Sequence, residues 1–380
     1  MGEFALIARI NAGRAQAPGV LLGPGDDAAV LAAPDGRLAV TTDMLVQNRH
    51  FRLDWSAPAE IGRKAIAQNA ADVVAMGAVP TAFVVALGCP GETPVAVIDG
   101  LTAGMWAEAG RACGASIAGG DLVRSPELVI SVTAFGDLEG RAPVLRSGSR
   151  AGDVVAVAGR LGWSAAGLDI LLAETPASPR VGPGGWAAEA GATPNIFATG
   201  AGRAAPIVGA GDGRGARAAG GDAPEAGLGT APRTDALRTA ALAAHRAPRP
   251  PYPAVLDALR AGARPTAMAD TSDGLLADLA HIAEASGVAV DLDSAALADP
   301  ALAELATALE HDAAQWILTG GEDHAFVATW PAETELPPGW RAIGRVTAGS
   351  GVTVDGAGHA GPRGWESFSG AESPPVGDPR

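Results

Sequence analysis

Apolar positions along this chain fall into runs of two kinds, one with a period of two or none and one with helical spacing. Residues 38–46 (LAVTTDMLV) read as a strand carrying an acid near its end, and 81–87 (TAFVVAL) and 127–135 (ELVISVTAF) as buried strands. Between them, Ile66, Ala70, Val73 and Val74 recur at helical spacing within 58–76, with Pro58 in the first turn and Gly77 as the stop. A second helix is predicted over 95–112. The segment 146–153 (RSGSRAGD) reads as a turn-rich linker, followed by a strand over 154–157 and a helix over 164–172. Helices are predicted again over 233–245, 253–261 and 274–286, the last ending at Gly287, with several more strands around them.

Between these two stretches the pattern fails. Of the 50 positions from 181 to 230, 28 are Gly or Ala, with no sustained period. Such a segment buries too little apolar surface to offset its ordering entropy, so a flexible insertion over about 175–232 is expected, with a small Ala-rich helical subdomain as the alternative. The expected organisation is an N-terminal α/β domain over 1–140, a C-terminal α/β domain over 141–370 that carries the insertion, and a frayed tail over 371–380. The fold class is α/β (α+β), with mixed sheets packed with helices.

Composition narrows the function. Of 380 residues, 42 are acidic and 27 basic, a formal net charge of −15, which argues against coating nucleic acid phosphates or an anionic membrane. Apolar residues make up 48% and charged ones 18%, enough for a sizeable core. Two cysteines, Cys89 and Cys113, make no disulfide framework or four-thiolate metal site. The first residues show neither a basic leader nor a long apolar core, and no apolar run approaches about 18 residues, so a soluble, cytoplasmic protein is expected.

The chemistry lies in acids beside glycines and at strand ends: Gly25-Asp26-Asp27, Thr41-Thr42-Asp43, Asn69-x-x-Asp72, Gly119-Gly120-Asp121 and Asp270-Thr271-Ser272-Asp273-Gly274. Carboxylates and hydroxyls are the ligands that Mg²⁺ prefers, and Asn69 and Asp72, three apart, can leave one helix face together. Each motif alone also suits an ordinary turn or cap. As a set they suit a site in which several Mg²⁺ ions join acids to phosphates. The chain has one lysine, Lys64, and it lies in a predicted helix rather than after a Gly-rich loop, so no Walker signature is present. Arg146 offers a guanidinium fork for phosphate, or is a surface arginine.

The run Gly-Pro-Gly-Asp-Asp-Ala-Ala-Val (23–30), Thr-Thr-Asp (41–43), His50-Phe51, Lys64-Ala65 and Asn69-Ala-Ala-Asp-Val-Val-Ala-Met-Gly77 resembles the thiamine-monophosphate kinase family, of the aminoimidazole ribonucleotide synthetase-like superfamily. The likeness includes Gly2-Glu-Phe-Ala-Leu-Ile7, Gly119-Gly-Asp121, Leu145-Arg-Ser-Gly148, 162–168 (GWSAAGL), Ser272-Asp-Gly-Leu275 and Gly320-Gly-Glu-Asp323. It departs from the family at Ala70-Ala71, where Leu-Ser is usual, at Thr271, where Leu or Ile is common, and in the length of the Gly/Ala insertion.

The resemblance implies a two-domain fold, a homodimer paired through the N-terminal domains, and ATP-dependent phosphorylation of thiamine monophosphate to thiamine diphosphate with several Mg²⁺ ions. It implies Asp27, Thr41, Thr42, Asp43, Asp72, Asp121, Asp270 and Asp273 as metal ligands. Gly120, Asp121, Arg146 and Ser272 match positions near ATP; His50, Glu322 and Trp365 match positions lining the thiamine phosphate pocket. His281 and His324 are expected to be structural or surface groups. No protein acid or base is required, because a phosphate monoester is already largely dianionic at neutral pH, and a thiazolium cation suits an aromatic face and a carboxylate. The alternatives are another ATP-dependent enzyme of the superfamily, such as aminoimidazole ribonucleotide synthetase, and a non-catalytic nucleotide sensor.

Overall fold

The computed structural model describes residues 9–23, 28–112, 114–175 and 231–365. Asp27, Cys113, nearly all of the expected insertion and the expected tail lie outside them.

The first sheet has four strands in the order β3-β6-β4-β5. They are β3 (Ala39–Val46), β4 (Val79–Cys89), β5 (Ser116–Arg124) and β6 (Val129–Asp137), preceded by the short antiparallel pair β1 (Val20–Leu22) and β2 (Val30–Leu31). β4 and β5 run parallel because α2 (Val95–Arg111) returns the chain between them, whereas β6 is antiparallel to both of its neighbours. With α1 (Pro58–Ala75), α2 covers one face of this sheet. α1 starts where the patterning places it: Pro58 opens the helix, and the Glu60 carboxylate accepts a hydrogen bond from the Ala57 N–H at 2.8 Å. The two helices touch through glycine. A Cβ on Gly62 would lie 2.0 Å from the Leu101 carbonyl oxygen, and one on Gly104 2.0 Å from that of Ala59.

The second sheet has seven strands in the order β13-β12-β9-β11-β7-β10-β8. They are β7 (Val154–Ala158), β8 (Ala267–Asp270), β9 (Ala289–Leu292), β10 (Phe326–Trp330), β11 (Trp340–Thr347), β12 (Gly351–Val354) and β13 (Ala357–Gly358). Its central strands are buried on both faces and so read as continuous apolar runs. Ala156, Ala158, Phe326, Ala328 and Trp330 join the core that contains α1 and α2. Alternate residues Val155, Val157 and Val327 face the other way, toward α3 (Trp163–Glu174), α4 (Ala231–Arg246), α6 (Leu275–Ser286), α8 (Pro300–Ala308) and α9 (Ala313–Thr319). α5 (Tyr252–Arg260) packs on the first of these faces, and the one-turn α7 (Ser294–Leu297) follows β9. α1 therefore lies between the two sheets, and the Tyr252 hydroxyl donates to the Ala67 carbonyl in its middle.

One expectation changes. Gly119-Gly120-Asp121 lies inside β5 rather than at a turn. A Cβ on Gly120 would stand 2.0 Å from the Val85 carbonyl oxygen, so close approach of the neighbouring strand requires glycine there. Ala70 and Ala71, where the family favours Leu-Ser, are both fully buried in the core.

Candidate active site

The acids converge where α1 passes the middle of β3 and the end of β8. Lys64, Gln68, Asn69 and Asp72 fall along one face of α1 (i, i+4, i+5, i+8), which turns them toward a common region. The Thr41 hydroxyl donates to the Asp72 carboxylate at 2.9 Å, and the Asp43 N–H donates to the Asn69 side-chain oxygen at 3.0 Å. Asn69 is itself held by donating to the Ala65 carbonyl at 2.9 Å, so β3 is pinned to α1 beside both aspartates. Asp270 closes β8, and Asp273 follows on the turn before α6. That turn is ordered by Asp278, whose carboxylate accepts from the Asp273 and Gly274 N–H groups, each at 3.2 Å.

The Gly320–Asp323 loop is zipped to the β8 turn by backbone bonds from Glu322 N–H to Ser272 and from His324 N–H to Thr271, at 2.7 and 2.9 Å. Thr271 adds its hydroxyl, which donates to the Ala325 carbonyl at 3.2 Å and accepts the Ala325 N–H at 3.0 Å. Glu322 and His324 hold left-handed backbone angles (φ 63° and 49°) to make this turn. His324, expected as a structural or surface group, joins the cluster: it is buried, with Nδ1 3.0 Å from an Asp270 carboxylate oxygen. The only local signal, a polar Glu-Asp-His run directly after two glycines, suits an ordinary turn equally well.

A cavity of about 570 Å³ lies against this cluster, lined by Thr41, Asp72, Met76, Arg146, Ser147 and Asp270 among others. Around it the carboxylates disfavour one another's charge. Burial, then Asp270 and Asp43, push Asp72 up to about 7, only partly opposed by the Thr41 hydroxyl. Burial, then Asp270, raises Asp273; burial likewise raises Asp43, with the Asp270 charge adding to it while Gln68, His324 and His50 oppose. His324 goes up despite burial, because its bond to Asp270 and the surrounding acids favour its cation. Oxygen-only donors with excess negative charge fit a hard divalent cation. Among the described residues no three His, Cys, Asp or Glu side chains close on one point. An ion here would take its other ligands from phosphate oxygens and water, as Mg²⁺ commonly does.

Two of the expected substrate-side residues, His50 and Glu322, form a second group through Lys64, whereas Trp365 is bonded to Asp273. The Val46 N–H donates to His50 Nδ1 at 3.0 Å, so Nε2 is the ring nitrogen that carries hydrogen. Lys64 donates to the His50 carbonyl at 3.2 Å and pairs with Glu322 at 2.9 Å. Burial is offset chiefly by the Lys64 charge, and Glu322 stays below the usual range. Trp365 is 67% exposed and is tied in by its backbone N–H, which donates to the Asp273 carbonyl at 2.9 Å; Ser272 is half-buried.

Three positions stand apart within one chain. Thr42 and Asp121 lie in β3 and β5, at opposite edges of the first sheet, and both are exposed. Asp121 shares a cross-strand row with Ala86, Ser131 and Met44, on the face away from the helices. The Thr42 hydroxyl donates to the Val132 carbonyl and accepts from Thr133, at 3.0 and 3.2 Å. The adjacent row aligns Gly120 with Val85, Val132 and Asp43, three strands apart, a span of roughly 14 Å.

Comparison with known proteins identifies the family. Residues 25–138 match the family described as AIR synthase related protein, N-terminal domain. A thiamine-monophosphate kinase of Mycobacterium tuberculosis is 49% identical over 371 residues, 97% of this chain and 92% of that protein. Among solved structures, thiamine-monophosphate kinase from Stenotrophomonas maltophilia K279a superposes with a TM-score of 0.67 at 31% identity, over 94% of this chain and 98% of that one. A structure described as "AaThiL complexed with AMPPCP and TMP" gives 0.65 at 26% identity, over 97% of each chain. This chain belongs to the thiamine-monophosphate kinase family.

Proposed function

We propose that this protein transfers the γ-phosphoryl group of ATP to thiamine monophosphate, giving thiamine diphosphate and ADP, by direct in-line displacement. The observation that carries the reading is the convergence of Thr41, Asp43, Asp72 and Asp270 beside a cavity that Arg146 also lines, next to the linked His50 and Glu322. The family relationship supports the choice of substrates, as does the relative bound to AMPPCP, an analogue of ATP, and TMP.

An oxygen of the substrate phosphate forms the new bond to the γ-phosphorus while the β,γ-bridging bond breaks and its electron pair leaves with ADP. Several Mg²⁺ ions, when bound, would neutralise the phosphates of both substrates and the charge developing on the leaving oxygen. Asp27, Thr41, Thr42, Asp43, Asp72, Asp121, Asp270 and Asp273 are the proposed ligands, and Gly120, Asp121, Arg146 and Ser272 the proposed ATP contacts. Arg146 supplies a fixed cation for phosphate oxygens. His50 donates from Nε2 to the acceptor phosphate, and Glu322 and Trp365 offer a carboxylate and an aromatic face to the thiazolium ring. The protein's own contribution is alignment and charge neutralisation.

The two sheets support a division into domains over 1–140 and 141–370. The free face of the first sheet supports a homodimer: Val40, Met44 and Val123 stand 58%, 54% and 52% exposed there. A second copy at the open edge of β3 would bring its own Gly120 and Asp121 toward the acids that one chain leaves across the sheet. The use of ATP and a thiamine phosphate fits a cytoplasmic enzyme, and no described helix is long and apolar enough to cross a membrane.

The reading is tested by offering the protein ATP and Mg²⁺ with either thiamine monophosphate or formylglycinamidine ribonucleotide. Turnover of the first alone is expected. Turnover of the second alone would move the protein to the synthetase activity of the superfamily, and ATP binding without turnover of either would leave a nucleotide sensor.

A further inference from the structure

We infer that Lys64 is a positioning residue of the thiamine-phosphate pocket: its buried ammonium ties the turn carrying His50 to the carboxylate of Glu322 and so fixes where that carboxylate meets the substrate cation. The inference rests on the proposed function and deepens it by naming the group that prepares the substrate side of the site.

The geometry is specific. Lys64 projects from the middle of α1 with 3% of its side chain exposed, and its Nζ reaches both the His50 carbonyl (3.2 Å) and Glu322 (2.9 Å). One contact belongs to the segment after β3 and the other to the loop before β10, so a single cation spans the junction of the two sheets. Glu322 needs such a tether. It sits on a loop in a left-handed conformation, with 32% of its side chain exposed. Its other oxygen is 3.3 Å from His245 Nδ1. His245 is neutral at neutral pH, since burial and then Lys64 push it down to about 4. Lys64 is therefore the one full positive charge in contact with Glu322 among the described residues. Arginine supplies every other Lys/Arg cation in this chain, yet this position holds its single lysine. A compact ammonium with rotatable donors satisfies a carbonyl and a carboxylate from different directions. Its position on α1, four residues before Gln68 and eight before Asp72, also couples the substrate side to the helix face that bears the acids.

The test is a double-mutant cycle on the full-length protein with Lys64→Met, Glu322→Gln and the pair, measuring kcat and both KM values alongside thermal melting. Lys64→Met should raise KM for thiamine monophosphate about tenfold or more, the scale of a charge-assisted bond lost, with kcat and KM for ATP within about threefold. In the Glu322→Gln background the same change should add less than about twofold, because its effect passes through Glu322. An unchanged KM for thiamine monophosphate, equal losses in all three constants, or additive losses in the pair would overturn the inference while leaving the proposed function standing. Should Lys64→Met fail to fold, Lys64→Gln is read by the same cycle and the same criteria. A wild-type protein that turns over ATP with no thiamine monophosphate consumed would remove the proposed function and this inference with it.

Discussion

Asp72 carries more of the proposed chemistry than any other single side chain described. It lies on the cavity wall, accepts the Thr41 hydroxyl, and is pushed up to about 7 by burial and by Asp270 and Asp43. Replacing it with Ala should cut the transfer rate by at least about a hundredfold while leaving the circular dichroism spectrum unchanged. Near-normal turnover would remove it from the site. Asp72 and Asp270 were legible because one lies on a helix face and the other ends a strand, where patterning alone assigns positions. His324 was not, since a histidine in a Gly-Gly-Glu-Asp-His run looks like turn chemistry until the backbone bonds from 271–272 to 322–325 bring it onto Asp270. The separation of Thr42 from Thr41 and Asp43 was hidden too. Adjacent strand residues face opposite ways, and only the sheet order says which face meets α1.

At the scale of elements, α1 and its neighbours were readable from period and caps to within a residue or two. β5 was not: two adjacent glycines signal a turn, whereas here Gly120 is required by contact with the Val85 carbonyl of the parallel neighbour, a non-local cause. The contact of α1 with α2 has the same character. Gly104→Ala would place a methyl 2.0 Å from the Ala59 carbonyl oxygen and force the helices apart. It should cost about 1–3 kcal/mol in a denaturant titration. Because α1 bears Lys64, Asn69 and Asp72, the same variant should weaken activity at temperatures where the fold is still intact. Unaltered stability would contradict the packing described for these helices.

Over the whole molecule, buried acids set the pH response. Asp72, Asp278 and Asp323 each lie near 7 in the folded protein, with burial the first cause in every case. An unfolded aspartate ionises near 4, so between these values the folded state holds protons that the unfolded state has released. Stability of the metal-free protein should therefore fall as pH rises from about 4 to about 7. His245, held down to about 4, works in the opposite sense up to its unfolded value near 6.5, but as one group against three. The melting temperature should decline from pH 5 to 7, and added Mg²⁺ should recover part of the loss at the upper end. A melting temperature that climbs across this range would contradict the placement of these carboxyls. The free face of the first sheet makes a separate prediction: Met44→Glu should shift the protein from dimer to monomer in light scattering, and a monomeric wild type would remove the dimer from the account.

The most direct measurement follows the reaction itself. Purified protein is incubated with ATP, Mg²⁺ and thiamine monophosphate, and thiamine diphosphate and ADP are quantified by chromatography. Equal amounts of the two products, both lost with EDTA, are the predicted result; ADP and free phosphate without thiamine diphosphate would contradict it.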